Sequence, residues 1–167
     1  MKQQIIVSGT GGQGILFLTR FFAEAAMTMR LQVLTSEIHG MAMRGGTVVS
    51  HVKVGLFKSP LVREGQADRG LILNKQNLEL HRGLVKPGGS VFVNTDTPGD
   101  YFSIDASGLA LRAGAPAMAN LVLLGFAMQR KGFFCDADVA RKVLAKLSPP
   151  AQLELNLKGF DMGFASV

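Results

Sequence analysis

The stretch Gln4-Ile5-Ile6-Val7-Ser8-Gly9-Thr10-Gly11-Gly12-Gln13-Gly14 decides how the rest of the chain is read. Residues 4–8 are largely β-branched and apolar and run straight into glycines, the pattern of a short buried strand. From about Gln13 to Met29 good helix formers follow, apolar on most faces (Ile15, Leu16, Leu18, Phe21, Phe22, Ala25, Ala26, Met29). A helix of that kind is covered on more than one side. Leu31–Thr35 reads as a second strand, which completes a Rossmann-like β-α-β unit. Gly9-Thr10-Gly11-Gly12-Gln13-Gly14 satisfies G-x-G-x-x-G, and Glu37 lies at the end of the second strand, where a ribose-binding acid would sit. Glycines there allow close backbone approach, and the helix start offers unpaired N–H groups to an anion. The same glycines serve a tight turn and close helix–strand packing equally well, and Gln13 is an unusual long amide for the position.

Working outward, Thr47–Val54 alternates as a third strand. Its link to the second is too short for a helical crossover, so the two are expected as antiparallel neighbours. Arg69–Asn74 reads as a strand, Lys75–Arg82 as a helix, Lys86-Pro87-Gly88-Gly89 as a turn, Ser90–Asn94 as a strand and Tyr101–Asp105 as a short strand. Pro116 opens a helix running to about Lys131 and closed by Gly132, in keeping with proline at helix starts and glycine past their ends. Asp136–Leu147 is a helix capped by its acid, and a last helical segment follows Pro149-Pro150 with Leu153, Leu155, Leu157 and Phe160. The expected fold is α/β, three-layer α/β/α, with a mostly parallel, mixed sheet. No repeat or long linker divides residues 1–167, which predicts a single domain.

Composition narrows the function. A chain of 167 residues with 47% hydrophobic and 18% charged residues can bury a sizeable core. Residues 30–86 hold nine Lys/Arg against four acids, so most of the net +6 lies there. That excess suits an anionic ligand or an acidic partner, or simply a solvated basic face. Nearly all aromatics are Phe, with no Trp, and no clustered basic tract occurs, which argues against nucleic acid. The longest apolar runs are interrupted by Arg20, Glu24 or Gln129, so no membrane span is expected. With no signal-peptide pattern after Met1, the expected location is cytoplasmic. Cys135 is the only cysteine, which leaves no ligand set for an iron–sulfur cluster or a structural zinc.

A second signal is Thr35-Ser36-Glu37-Ile38-His39-Gly40-Met41-Ala42-Met43-Arg44-Gly45-Gly46, whose ionisable residues Glu37, His39 and Arg44 are expected in a loop at one end of the sheet. His39 could carry a proton and Arg44 could fork around a carboxylate or phosphate. Alternatively Arg44 pairs with Glu37 while Met41 and Met43 fill a subunit interface. An interface or ligand-facing loop is the favoured reading over direct catalysis. His51, inside a strand, reads as a structural histidine, and His81 ends a helix, where a cation is mildly favoured. Asn120, in the apolar run before Leu121-Val122-Leu123-Leu124, is expected to bond backbone or a neighbouring subunit. The candidate ligand- or interface-contacting set is therefore Gly11, Gly12, Gln13, Gly14, Glu37, His39, Met41, Met43, Arg44, Gly45, Gly46 and Asn120, with no metal ligands.

The glycine loop together with Ser36-Glu37-Ile38-His39-Gly40-Met41-Ala42-Met43-Arg44-Gly45-Gly46-Thr47-Val48-Val49-Ser50-His51-Val52 resembles the γ-type subunit or domain of the 2-oxoacid (pyruvate/indolepyruvate):ferredoxin oxidoreductases. The small β subunit of indolepyruvate ferredoxin oxidoreductase is the most similar branch. Ser59-Pro60-Leu61, Glu64-Gly65-Gln66-Ala67-Asp68, Lys86-Pro87-Gly88-Gly89, Val93-Asn94, Ala119-Asn120 and Glu154-Leu155-Asn156-Leu157-Lys158 extend the likeness almost end to end. The resemblance implies oxidative decarboxylation of a 2-oxoacid, an aryl pyruvate such as indolepyruvate, to an acyl-CoA with electrons passed to ferredoxin. It implies thiamine diphosphate, magnesium and iron–sulfur clusters on partner subunits, with none bound by this chain alone and coenzyme A as a possible shared-site ligand. The chain would support assembly and CoA or substrate access, be inactive alone, and form a homodimer if isolated. The segment from Asn94 to Asp105 is shorter than the family pattern, which leaves substrate and subunit arrangement open. Two other functions stay in view, a stand-alone dinucleotide-binding oxidoreductase and a non-catalytic interaction module.

Overall fold

The computed structural model describes residues 1–40, 46–130 and 132–166. Six strands, β1 (Gln3–Thr10), β2 (Val33–His39), β3 (Thr47–Val54), β4 (Ala67–Ile72), β5 (Val85–Asn94) and β6 (Phe102–Ile104), form one sheet in the order β2-β3-β1-β4-β5-β6. β1 pairs in parallel with β4, β4 with β5 and β5 with β6, while β3 runs antiparallel to both β1 and β2. The sheet is thus mixed and mostly parallel, as expected. The β2–β3 hairpin also forms as expected, but β3 inserts between the two strands of the N-terminal β-α-β unit.

Alternation along β1 explains the two sides of the sheet. Ile5 and Val7 join one apolar cluster with Val52, Leu71 and Phe92, whereas Ile6 joins another with Val49, Ile72, Val91 and Val93. The first side carries the helices α1 (Ile15–Thr28), α3 (Ala106–Arg112), α4 (Ala119–Gln129), α5 (Ala137–Leu147) and α6 (Leu153–Ala165). α1 and α4 lie against the strands, α5 packs on α1, and α6 packs on α4. Every residue of α4 from Asn120 to Met128 is buried, because sheet and α6 cover it from both sides. The second side has a thinner cover. It consists of the segment around Val62 and the single-turn α2 (Leu78–His81), which 3₁₀ turns flank on both sides.

Several boundaries differ from the sequence reading. β2 spans Val33–His39 rather than 31–35, because pairing with β3 extends as far as His39↔Val48. Glu37 and His39 therefore sit on a strand and not in a loop. The expected turn at Lys86–Gly89 lies inside β5, where the register against β4 shifts between Ala67 and Arg69 and Gly88 takes φ 80°. Glycine suits such an irregularity, and the proline falls where β5 has lost its regular ladder. α3 has no clear helical pattern in the sequence around Ser107-Gly108, yet Asp105 caps it by accepting from Gly108 N–H at 2.9 Å. Asp136 caps α5 as expected, accepting from Val139 N–H at 2.9 Å.

Candidate functional site

The carboxyl ends of the parallel strands meet the start of β3 at one edge of the sheet. Thr10 pairs with Thr47 and His39 with Val48, so the glycine loop and the segment after β2 leave the sheet side by side. Gly11 N–H donates to Gly46 O (3.1 Å) and Gly40 N–H to Thr47 O (2.6 Å), which ties the two together. Between them lies a concavity of about 400 Å³ lined by Thr10, Gly11, Gly12, Gly14, Ile15, Leu16, His39 and Val48. The site thus gathers Gly11, Gly12, Gly14 and His39 from the sequence candidates. Gly46 borders it through its backbone. Met41, Met43, Arg44 and Gly45 lie outside the described residues.

Each remaining candidate has a defined place. The Gln13 amide is used inside the chain: Oε1 accepts Thr10 N–H at 2.8 Å, and Nε2 donates to Leu73 O at 3.3 Å. Gly9 makes room for it, since a Cβ there would lie 2.7 Å from both Gln13 Oε1 and Ile15 Cδ1. Gly14 takes φ 80° immediately before α1, and α1 has no side-chain cap and no acid in its first turn. Asn120 backs onto Gly14, donating to Gly14 O at 3.3 Å while its Oδ1 accepts Leu121 N–H at 3.0 Å. It bonds backbone, as one of the two expectations had it. Glu37 faces His39 Nε2 at 3.7 Å, two residues along the same strand face.

Strand order bears directly on the dinucleotide reading. In that fold the acid-bearing strand lies beside the glycine-loop strand. Here β3 separates β2 from β1, which moves Glu37 one further strand spacing, about 5 Å, from the glycine loop. Glu37 also has a histidine for company.

Behind β1, on the thinly covered side, runs a polar chain that the sequence did not reveal. Asn77 Nδ2 donates to Gly9 O (2.7 Å) and Ser8 Oγ (3.2 Å), and Ser8 Oγ lies 2.5 Å from His81 Nδ1. Asn77 occupies one acceptor site of the Ser8 hydroxyl, which bonds the His81 ring either as donor or through its second lone pair, according to the ring tautomer. His51 Nδ1 accepts Val62 N–H at 2.8 Å, and its buried Nε2 has no partner among the described residues. His51 is the structural histidine expected. Burial holds both rings below the ordinary histidine range, and for His51 the His81 ring and then the Lys53 ammonium add to it. His81 therefore does not act as the helix-end cation its position suggested.

Below about pH 6.5 an unfolded chain protonates these rings while the folded one resists, so stability is full above that pH and falls as the pH drops towards the depressed folded values. The urea midpoint is expected to fall between about pH 7.5 and pH 5, and His81→Gln should flatten part of that fall. An identical pH profile in the variant would remove His81 from the account.

Cys135 is buried, and its thiol is pushed up to about 12 by burial and then by the Asp136 carboxylate. A thiol so held does not ionise to serve as a metal ligand or nucleophile. A larger concavity, about 770 Å³, lies at the opposite edge, beside Lys86, Gly88, Gly89 and Tyr101. Its two cations are already engaged, Arg82 with Asp100 at 3.1 Å and Lys86 with Asp68. No helix among the described residues is long and apolar enough to cross a membrane.

Comparison with known proteins agrees with this architecture. The model of the pyruvate ferredoxin/flavodoxin oxidoreductase family matches residues 4–166. Indolepyruvate oxidoreductase subunit IorB of Pyrococcus horikoshii is 31% identical over 194 aligned positions, covering 98% of this chain and 95% of the relative. Against the 167 residues here, that alignment length means the relative carries insertions. The keto/oxoacid ferredoxin oxidoreductase γ subunit of Geobacter sulfurreducens superposes with a TM-score of 0.79 at 30% identity, covering 97% of this chain and 96% of that one. A 2-oxoglutarate:ferredoxin oxidoreductase of Magnetococcus marinus, solved with 2-oxoglutarate, coenzyme A and succinyl-CoA bound, shares the fold at 24% identity and a TM-score of 0.77. This chain covers 30% of that larger one. A full-length family match, joined to the same sheet in a separate γ subunit, leads to one conclusion: the chain belongs to the pyruvate ferredoxin/flavodoxin oxidoreductase family and is of its γ-subunit type.

Proposed function

We propose that this chain serves a 2-oxoacid:ferredoxin oxidoreductase whose substrate is an aryl pyruvate such as indolepyruvate, and that it has no activity alone. The observation that carries the reading is the end-to-end match to small subunits at about the length of this chain. The aryl pyruvate rests on the name of the archaeal relative. Residues 1–167 act as one domain in this reading. The chemistry of its donors supports dependence on partners. One cysteine, buried and with its thiol raised, does not fit an iron–sulfur cluster, and the described residues do not cluster His, Cys, Asp and Glu as magnesium or another metal would need. Thiamine diphosphate, magnesium and the clusters are accordingly assigned to a partner chain, and ferredoxin is reached through the complex.

The edge holding Gly11, Gly12, Gly14 and His39 is the face that we assign to that partner, with coenzyme A at the shared boundary. Open backbone at Gly12 and the uncapped first turn of α1 offer N–H donors to phosphate oxygens. Arg44, in the adjoining segment, is assigned the charge for the same group.

Two measurements test this. The isolated chain should not reduce an artificial acceptor with indolepyruvate and CoA, and adding the thiamine-binding, cluster-carrying partner should restore turnover. Activity of the isolated chain would overturn the reading. Within the complex, Arg44→Ala should raise the KM for CoA about tenfold with assembly intact. Lost assembly at unchanged KM would instead make this edge a protein contact only.

A further inference from the structure

Arg20 and Glu24 are four residues apart on α1, a spacing at which opposite charges ordinarily pair. They do not. Lys146 of α5 reaches across and takes the Glu24 carboxylate, and Arg20 forms no ion pair among the described residues. Arg20 instead lines a cleft of about 270 Å³ between α1, the start of α4 and the turn joining α5 to α6. No acidic residue lines that cleft.

The other walls suit one kind of guest. Phe17 and Leu121 contribute apolar surface, and three amides converge with the guanidinium, those of Asn120, Gln152 and Asn156. Gln152 and Asn156 stand four apart at the start of α6 and so share a face. Asn156 Nδ2 gives one proton to Ser148 Oγ at 2.8 Å, which leaves the second for a guest. The Gln152 amide has no hydrogen bond among the described residues. Asn120 is buried and uses one Nδ2 proton on Gly14 O, so its second proton is also available. A single guanidinium with spare N–H donors above an apolar floor matches a monoanion with two coplanar oxygens. A phosphate dianion would call for a second cation, and the lining holds none.

We propose that this cleft is a carboxylate-binding pocket, with Arg20 as the charge partner and the Asn120, Gln152 and Asn156 amides as further donors. The carboxylate comes either from a small organic acid in solution or from an Asp or Glu side chain of the partner subunit. The second source rests on the proposed function; the first does not.

The experiment has two arms, each run on wild type, Arg20→Gln and Arg20→Lys. Arg20 is exposed and bonds nothing among the described residues, so the thermal midpoints of the variants should match wild type and exclude misfolding. In the first arm phenylacetate is titrated into the isolated chain and followed by amide chemical shifts, with 2-phenylethanol as the uncharged control. In the second arm, affinity for the partner chain is measured at about 50 and 300 mM salt. We expect Arg20→Gln to weaken one of the two interactions about tenfold, with Arg20→Lys between. Loss in the first arm identifies a small acid, and loss in the second an acidic side chain. An absence of loss in both arms, including phenylacetate binding that Arg20→Gln leaves unchanged with partner affinity also intact, overturns the pocket. If no partner chain binds even wild type, the proposed function fails and the phenylacetate arm alone decides the pocket.

Discussion

Gly163→Ala is expected to destabilise the chain by about 3 kcal/mol, the reverse of what helix propensity alone predicts. In an isolated helix the change would favour folding by about 1 kcal/mol. Here α6 crosses α4 at backbone contact: a Cβ on Gly163 would overlap the carbonyl oxygen of Val122 and lie 2.7 Å from its carbon and 2.8 Å from Phe126 N. Gly125 stands in the same relation to the carbonyl of Phe160, and Gly159 sits 3.1 Å from Met118 Cβ by the same measure. Neither helix has a side chain that can swing aside, so the pair must separate and thereby loosen Phe160, a fully buried ring. By the usual scaling for a domain of this size the thermal midpoint should drop by about 10 °C. Gly125→Ala should behave alike. A midpoint at or above wild type for Gly163→Ala would mean that the crossing relaxes at little cost.

The second large effect is expected at Gly14→Ala. Left-handed backbone disfavours any residue with a Cβ by about 1–2 kcal/mol, and Gly14 has φ 80° and ψ 29°. The new Cβ would also overlap Asn120 Nδ2 and lie 3.0 Å from Asn120 Cγ. Asn120 is buried, so displacing it sacrifices the bond to Gly14 O as well. We expect about 2–3 kcal/mol in total from urea denaturation. The two contributions separate in a double-mutant cycle: on an Asn120→Ala background the overlap is gone and only the backbone strain remains, about 1–2 kcal/mol. Strict additivity would show that Gly14 and Asn120 are not coupled. Because Gly14 borders the edge assigned to the partner, the same substitution should reduce turnover of the complex more than Gly65→Ala, whose Cβ meets nothing within 4 Å despite φ 69°.

Much of the fold was legible because the signals were local. The glycines after Ser8, the alternation of Thr47–Val54 and the acid before Ala137 each act within a few residues. The short link after the second strand was enough to pair it antiparallel with the third. What escaped depended on partners distant in the chain. The sequence ends the second strand near Thr35, but pairing with Val48, Val49 and Ser50 carries it to His39 and turns Glu37 and His39 into strand residues. Gln13 was singled out as odd without a reason, and the reason is Leu73 O, 60 residues away. Arg20 stands in the sequence only as an interruption of an apolar run, and its freedom from Glu24 depends on Lys146, 122 residues away from that acid. The GxxxG spacing of Gly159 and Gly163 gains meaning only when a second helix lies against it.

The class of fold, the glycine loop, the family likeness and the shortage of thiols all follow from residue type and near-neighbour spacing. Three features emerge only in the folded chain: β3 separates β2 from β1, Gln13 is a brace while Gly11, Gly12 and His39 face a concavity, and α4 and α6 touch through their backbones. The physical reason is the same in each case. Strand order, buried hydrogen-bond partners and helix crossings are settled by satisfying groups far apart in the chain, and no local pattern records which distant group will do so.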